Sequence, residues 1–360
     1  MIDKQNRVLL SFLGDISFND EYVTLFNRGE DPFSEIKHFL RESDFVIGNL
    51  ECVAKGDEGE FMLREPRLKT EVNTLHYLNN LNIKLVTLAH NHIYDNLFDG
   101  YKKTTVFLDQ NKIFRIGAGY TAEEARKPLI VEMNNIRFGF FNYVSQDTNP
   151  ILPENSPVSL NMLKKEVIIE DLKQNRNLDY LILLLHWGGI MEYGLYPHFN
   201  QCKLARNLID EGADMIIGHH SHTLQPYEKY KQKYIFYSLG NFCFANIIYD
   251  NRVKKVDYNK FSESVIVQVY FEKDHYHIDL IPIANRKLRI RTELKIINKL
   301  KRRNFMFKIL FAAKPLWYLY YFFHRFVYPV IFQLGRKEER SIMQRLVQLN
   351  QQKIKNLFSK

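Results

Sequence analysis

Cysteine is scarce in this chain: three residues in 360, Cys52, Cys202 and Cys243, with no Cys-x-x-Cys spacing among them. An odd number so spaced suggests neither a disulfide framework nor a thiolate zinc site, and a reducing compartment is the easier fit. Long apolar runs are missing as well. No stretch reaches about 18 uncharged apolar residues, so no transmembrane helix is expected. The opening Met-Ile-Asp-Lys-Gln-Asn-Arg leads into only a six-residue run before Gly14-Asp15, without a small-residue cleavage site. That is too short for a signal-peptide core, and a cytoplasmic start is expected. Internal repeats and low-complexity tracts are absent too. Charge is nearly balanced except in one place. Residues 286–308 hold ten Lys or Arg against the single Glu293, a local +9 that equals the net charge of the whole chain.

What is present belongs to a folded protein. Apolar residues make up 46%, aromatics 14% and charged residues 25%, enough to bury a full core and too apolar for disorder. The length suits one large domain, 1–285, followed by an appendage, 286–360.

The stretch 181–244 organises the reading. Three apolar runs each break off at a glycine beside a polar residue: Leu-Leu-Leu-His186-Trp-Gly-Gly, Ile-Ile-Gly-His-His-Ser-His222 and Phe-Tyr-Ser-Leu-Gly-Asn241-Phe. A buried strand looks like this when it delivers a side chain to the rim of a sheet. The device recurs upstream. Residues 8–13 end at Gly14-Asp15, residues 44–51 at Gly-Asn-Leu-Glu51, and residues 83–92 at His90-Asn91-His92, with Asp95 a turn later. Six of the twelve histidines lie in three such rims. One histidine alone would be read as a strand-end residue bonded to backbone. A cluster is read as a metal site, because imidazole is the commonest transition-metal ligand and a His-x-His pair on an extended segment turns both rings to one face.

Helical periods are expected over 71–81, 101–110, 121–126, 160–174 and 201–211, the last stopped by Gly212. Residues 129–133 and 136–143 flank Asn134-Asn135 and predict a hairpin. Further strands are expected at 180–185, 214–217, 234–237, 264–272 and 275–282. Strands and helices alternate early and strands follow one another later, which predicts an α/β architecture whose sheet edges carry the site.

A hydrolytic two-metal site needs carboxylate and amide oxygens with imidazoles, converging on cations about 3.5–4 Å apart. Asp15, Glu51, Asn91, His186, His220 and His222 supply that mix without a thiolate. His92 is then free to act as general acid. His90, Asp95, Glu192, His219 and Asn241 are assigned to bracing the loops or meeting substrate. Taken one at a time these residues have plainer readings: Asp15 as a helix cap, Glu51 as a turn residue, Asn91 and Asn241 as turn formers. Trp187 can pack beneath the site or touch substrate. Mixed imidazole and oxygen donors suit Mn, Fe and Zn alike.

The ordered set Gly14-Asp15, Asn49-Leu-Glu51, Ala89-His-Asn-His92 with Asp95, His186-Trp-Gly with Glu192, Pro197 and Gln201, Gly218-His-His-Ser-His222 with Gln225, and Tyr237-Ser-Leu-Gly-Asn-Phe242 resembles the CapA family of capsule and poly-gamma-glutamate synthesis. That family is similar to the calcineurin-like metallophosphoesterases. The resemblance covers residues 8–245. It implies a four-layer α/β/β/α sandwich with one or two divalent ions at the strand ends. It also implies a metal-dependent hydrolase in which metal-bound hydroxide attacks a phosphoester or amide of an anionic substrate or polymer. The alternative is a non-catalytic accessory protein of a polymer synthase or exporter at the membrane. The chain departs from the wider superfamily at its first motif, where Ile16 and Ser17 follow Asp15 in place of Asp-x-His. It departs from the CapA branch in reading His90-Asn91-His92 for Asn-Asn-His and His220-Ser221-His222 for His-Pro-His.

After residue 285 the character changes. Apolar residues at Leu288, Ile290, Leu294, Ile297 and Leu300 punctuate the basic run, and residues 305–332 carry twelve aromatics in 28 positions. Basic groups for lipid headgroups and Trp and Tyr for the interface suggest a segment lying on an anionic membrane surface, making the protein peripheral on the inner face. The alternatives are aromatics that cover the main domain and a basic run that captures a polyanion such as polyglutamate. No nucleic-acid-binding fold accompanies the charge, so nucleic acid is not expected. Residues 338–360 read as a polar amphipathic helix.

Overall fold

The computed structural model describes residues 7–249, 252–254 and 261–327. Two sheets form its centre. In the first, parallel strands Val8–Ile16, Phe45–Leu50, Ile83–Thr87 and Phe114–Ile116 run side by side, and the antiparallel strands Glu263–Phe271, Tyr276–Arg286 and Arg289–Thr292 extend it past Val8–Ile16. In the second, Lys233–Phe236, Met215–His219, Tyr180–His186 and Ile136–Val144 are parallel, with Tyr227–Tyr230 and Leu129–Met133 antiparallel at the edges. Strands buried on both faces read as continuous apolar runs, which is why 181–185 shows no alternation.

Period two sorts the apolar residues into layers. Val8, Leu10 and Phe12 of the first sheet meet Phe138, Phe140, Ile182, Leu184, Met215 and Ile217 of the second in one core between the sheets. The other face of the first sheet, with Val46, Leu50 and Val86, packs on Tyr22, Leu40, Leu78, Phe107 and Leu108 of the helices and helical turns outside it. On the far side of the second sheet, Tyr143 donates to Asp171 of the helix Lys165–Gln174 at 2.6 Å. Arg206 of the helix Phe199–Asp210 pairs there with Glu228. Helices, sheet, sheet, helices make the four-layer α/β/β/α sandwich.

Local chemistry accounts for most boundaries. Asn134 and Asn135 both adopt positive φ, 49° and 60°, as a two-residue hairpin turn of the I′ kind requires. Thr121 caps the helix Ala122–Arg126 by accepting from the Glu124 amide. His198, with Gln201 reaching back to it, caps Phe199–Asp210. Two helices differ from expectation. The 71–81 segment splits into a 3-10 turn, Val72–Leu75, and a short helix, His76–Asn80. The 160–174 helix begins only at Lys165, because Ser159–Leu160 is extended and pairs with Ala118–Gly119.

The change of sequence character at 285 does not end the sheet. Arg289–Thr292 pairs with Tyr276–Arg286, and Ile296 and Leu300 of the helix Lys295–Ala312 join the inter-sheet core. Lys299 and Arg303 pair with the buried Glu263. Packing divides the chain between Phe305 and Met306. In the second unit, the helix Lys314–Phe322 has Pro315 in its first turn, and it passes into a π-helical turn, Phe323–Val327. Leu316, Tyr318, Leu319, Phe322, Phe323 and Phe326 are exposed while Trp317 is buried. Among the described residues no helix is long and apolar enough to cross a membrane. The aromatics beyond Val327 and the 338–360 helix expected from sequence lie outside the described residues.

Candidate metal centre

Strand parity builds the site. Ile47, Leu85, Phe140, Leu184 and Ile217 lie in the inter-sheet core. Two residues further along each strand, where the same face comes round again, stand Asn49, Thr87, Asn142, His186 and His219, all buried. The core thus turns polar at the carboxyl ends of the parallel strands, the edge where α/β sheets hold ligands.

These groups bond to one another. Thr87 Oγ1 donates to Asn49 Oδ1 at 2.9 Å, which turns the Asn49 amide nitrogen toward Asp15 Oδ1 at 2.9 Å and His186 Nδ1 at 3.4 Å. Asn142 accepts from the Ala89 amide at 2.8 Å and so holds the start of the His90–His92 loop. His219 Nε2 donates to the Leu13 carbonyl at 3.1 Å. Two glycines are demanded by close approach of the 237–240 backbone. A Cβ on Gly14 would stand 2.0 Å from the Gly240 oxygen, and one on Gly218 would stand 2.1 Å from the Tyr237 oxygen. Trp187 also belongs to this framework: it is buried and donates to the Tyr237 carbonyl at 3.0 Å.

All six expected ligands meet. Glu51, His220 and His222 each offer a donor atom, and those atoms lie within 4.8 Å of one another. His186 Nε2 is 3.0 Å from Asn91 Oδ1, 3.1 Å from His220 Nδ1 and 4.0 Å from Glu51 Oε1. Asp15 Oδ2 accepts from the His220 amide at 3.2 Å and lies 3.6 Å from His222 Nδ1, which is also 2.9 Å from Asn241 Oδ1. The His-x-His geometry differs from expectation. The strand ends at His219, and His220 and His222 take left-handed φ of 89° and 56° rather than extended backbone. The turn is tied down by Ser221, whose carbonyl accepts from Tyr193, and by Thr223, which donates to Gly194 at 2.6 Å. The two rings still converge, with centroids 5.7 Å apart.

Beside this cluster, His92 Nδ1 and Asp95 Oδ2 lie 2.6 Å apart, and the same carboxylate oxygen accepts from Leu68 N at 2.7 Å. His90 Nδ1 accepts from the His92 amide at 3.1 Å. Glu192, half-buried after the turn Gly189–Met191, acts on Glu51 and His220 through its charge.

Burial sets the electrostatics. It raises the Glu51 carboxyl well above the usual range, and the Asp15 charge adds to the effect. It pushes His186 and His90 well down, helped by neighbouring imidazoles, and His220 down to about 3. Both Glu51 oxygens are buried with no hydrogen-bond partner. A buried carboxylate without donors calls for a cation. Oxygen and imidazole donors with no thiolate are the set a divalent Mn, Fe or Zn ion accepts, so the residues fit such an ion.

Asn49 entered the sequence reading only within the Asn49-Leu-Glu51 motif, with no role of its own, and Thr87 and Asn142 not at all, although the apolar-x-polar step at each strand end was there to be read. Arg64, buried in the 61–68 loop and acting electrostatically on Asp95, Glu192 and Glu51, carries no periodic signal.

Comparison with known proteins follows the same ground. A family model described as "Bacterial capsule synthesis protein PGA_cap" matches residues 9–246. The chain is 27% identical over 277 residues to the PGA biosynthesis protein CapA of Bacillus subtilis, covering 73% of this chain and 68% of that one. It is 29% identical over 252 residues to the capsule biosynthesis protein CapA of Bacillus anthracis, covering 67% and 61%. Among solved structures, the 5'-nucleotidase precursor of Thermus thermophilus aligns with a TM-score of 0.43 and 15% identity, covering 87% of this chain and 59% of that one. By the match over 9–246, this chain belongs to the bacterial capsule synthesis protein family PGA_cap.

Proposed function

We propose that this chain is a metal-dependent hydrolase serving capsule or poly-gamma-glutamate production, cleaving a phosphoester or amide of an anionic substrate. The observation that carries the reading is the Glu51 carboxylate, buried with neither oxygen hydrogen-bonded and its donor atom within 4.8 Å of those of His220 and His222. A divalent cation held by these three with Asp15, Asn91 and His186 would polarise a phosphoryl or carbonyl oxygen and bring the pKa of water to about 7. The chain does the rest. Asn49 orients Asp15 and His186 together. Asp95 fixes the His92 ring, which gives a proton to the leaving group. The names of the Bacillus relatives support the polymer context, and the polymer-synthesis machinery is the partner this reading assigns.

Elemental analysis of purified protein, paired with a panel of phosphoester and gamma-glutamyl substrates, tests it. Wild type is expected to hold metal and turn over at least one class. His186→Ala and His220→Ala are expected to lose both, and full turnover in either would overturn the reading.

A second reading, a non-catalytic accessory protein of a polymer synthase or exporter at an anionic membrane surface, is favoured by the exposed Leu316, Tyr318, Leu319, Phe322 and Phe323. Polymer production sustained by a metal-free His186→Ala protein would select it.

A further inference from the structure

We propose that Arg64 is the oxyanion receptor of this site, its guanidinium binding a phosphoryl or carboxylate group of the substrate beside His92. The inference rests on the hydrolase reading for the identity of the site, and on geometry for the role of the residue.

Arg64 is only 7% exposed, yet its guanidinium forms no ion pair with any described residue. One nitrogen donates to the Asn149 carbonyl, and Nε is buried with no partner. Burying a charge so poorly paired is costly, and the missing partner is an anion. Arg67 shows what a structural arginine looks like in the same loop: its Nε donates to Glu60 at 2.7 Å and its Nη1 to the Arg64 carbonyl at 2.9 Å.

The loop is built to hold Arg64 at the site. Phe61 N donates to the Asp95 carbonyl at 2.8 Å and Leu68 N to the Asp95 carboxylate at 2.7 Å, so both ends are tied to the residue that holds His92. Arg64 N closes a turn onto Phe61 O at 3.1 Å. Its charge acts on Asp95, Glu192 and Glu51, carboxylates from three separate segments around the site. A planar fork with an unused N–H recognises the paired oxygens of carboxylate or phosphate better than a point charge does.

Titration calorimetry of the full chain with inorganic phosphate and, separately, with a gamma-glutamyl oligomer tests the assignment on wild type, Arg64→Lys and Arg64→Gln. Metal content and melting are measured on each. Arg64→Gln is expected to weaken binding by about 30-fold or more, as truncation of a buried charge partner does, with metal content unchanged and Arg64→Lys in between. A loss confined to phosphate assigns a phosphoryl group, and one confined to the oligomer assigns a carboxylate. Failure of wild type to bind either, or unchanged affinity in both variants, overturns the proposal. Should Arg64→Gln not fold, Arg64→Lys decides alone, a loss of about tenfold supporting it and none overturning it. Metal-free, inactive wild type whose oxyanion affinity still falls in the variants would remove the hydrolase reading and leave Arg64 in place. Active, metal-loaded variants that bind as wild type does would do the reverse.

Discussion

Asn49 donates to Asp15 Oδ1 at 2.9 Å while its amide nitrogen stands 3.4 Å from His186, so one side chain links donors that come from different sheets. Replacing it with Leu leaves Asp15 and Thr87 short of a partner inside the core. Stability is expected to fall by about 1–3 kcal/mol, the usual cost of a buried unsatisfied group. Metal affinity should fall about 10–100-fold, as when the support of a ligand is removed. Chelator competition and denaturant unfolding measure the two, and an unchanged affinity would deny Asn49 its orienting role.

Glu51 makes the metal-free protein pay for burial of its carboxyl. The folded pKa is raised above the ordinary 4.5, so the native state holds a proton that the unfolded chain gives up, and stability declines as pH rises beyond about 4.5. Glu51→Gln removes that titration. In metal-free protein at neutral pH it should raise Tm, by about 2–4 °C for each kcal/mol relieved, and it should abolish the further rise that wild type shows on adding metal. A Glu51→Gln protein less stable than metal-free wild type at pH 7 would refute this.

The imidazoles act from the other side. His90, His186 and His219 have folded values below the ordinary 6.5, and His220 is lowered to about 3. The unfolded chain therefore binds more protons below pH 6.5, and stability in the metal-free protein should drop as pH falls from there toward 3. Urea midpoints across pH 3–8 would display it, and a profile flat below pH 6.5 would contradict it.

His92→Asn should reduce turnover about 10²–10⁴-fold, the range of general acid catalysis, with metal content unchanged. Asp95→Asn should cost less and displace the pH profile, because the carboxylate that holds the ring is gone while the ring remains. Loss of metal in His92→Asn would move that residue from proton transfer to ligation.

Where the chain is cut should matter by register. Ending it after residue 285 removes Ile290, Ile296 and Leu300 from the cores and strips Lys299 and Arg303 from Glu263, itself 2% exposed. An uncompensated buried charge costs about 3–5 kcal/mol, so this protein should aggregate or melt early. Ending it after Phe305 keeps those contacts. The shorter cut should fold like wild type and fail to sediment with anionic vesicles, whereas the full chain should sediment; equal sedimentation, or none in either, would deny 306–360 a membrane role.

Much of the site was legible because strands that end on a buried face announce themselves: a run of Leu, Ile and Val that breaks off at a polar residue beside a glycine, which directly precedes Asp15 and His219 and follows His186 by two positions. The six residues expected as ligands could be named from those endings, and the structure brings them together. The groups that hold them could not, since Asn49 and Thr87 look like any strand polar residue until the opposite sheet is in place to bury them. The His-x-His pair was read as extended, and the left-handed turn at His220 and His222 is tied by Ser221 and Thr223 to Tyr193 and Gly194, far enough away in sequence to leave no local trace. Basic residues marked off 286–308 correctly as a distinct composition, but composition says nothing of pairing, and Arg289–Thr292 completes a sheet edge.

The six donors are split between the sheets: Asp15, Glu51 and Asn91 follow strands of one, His186, His220 and His222 strands of the other. An ion bound by them would be a rivet through the sandwich, gripping both leaves at one rim. Loading should then slow hydrogen exchange in Phe45–Leu50 and Tyr180–His186 together, as if two pages had been pinned at a corner.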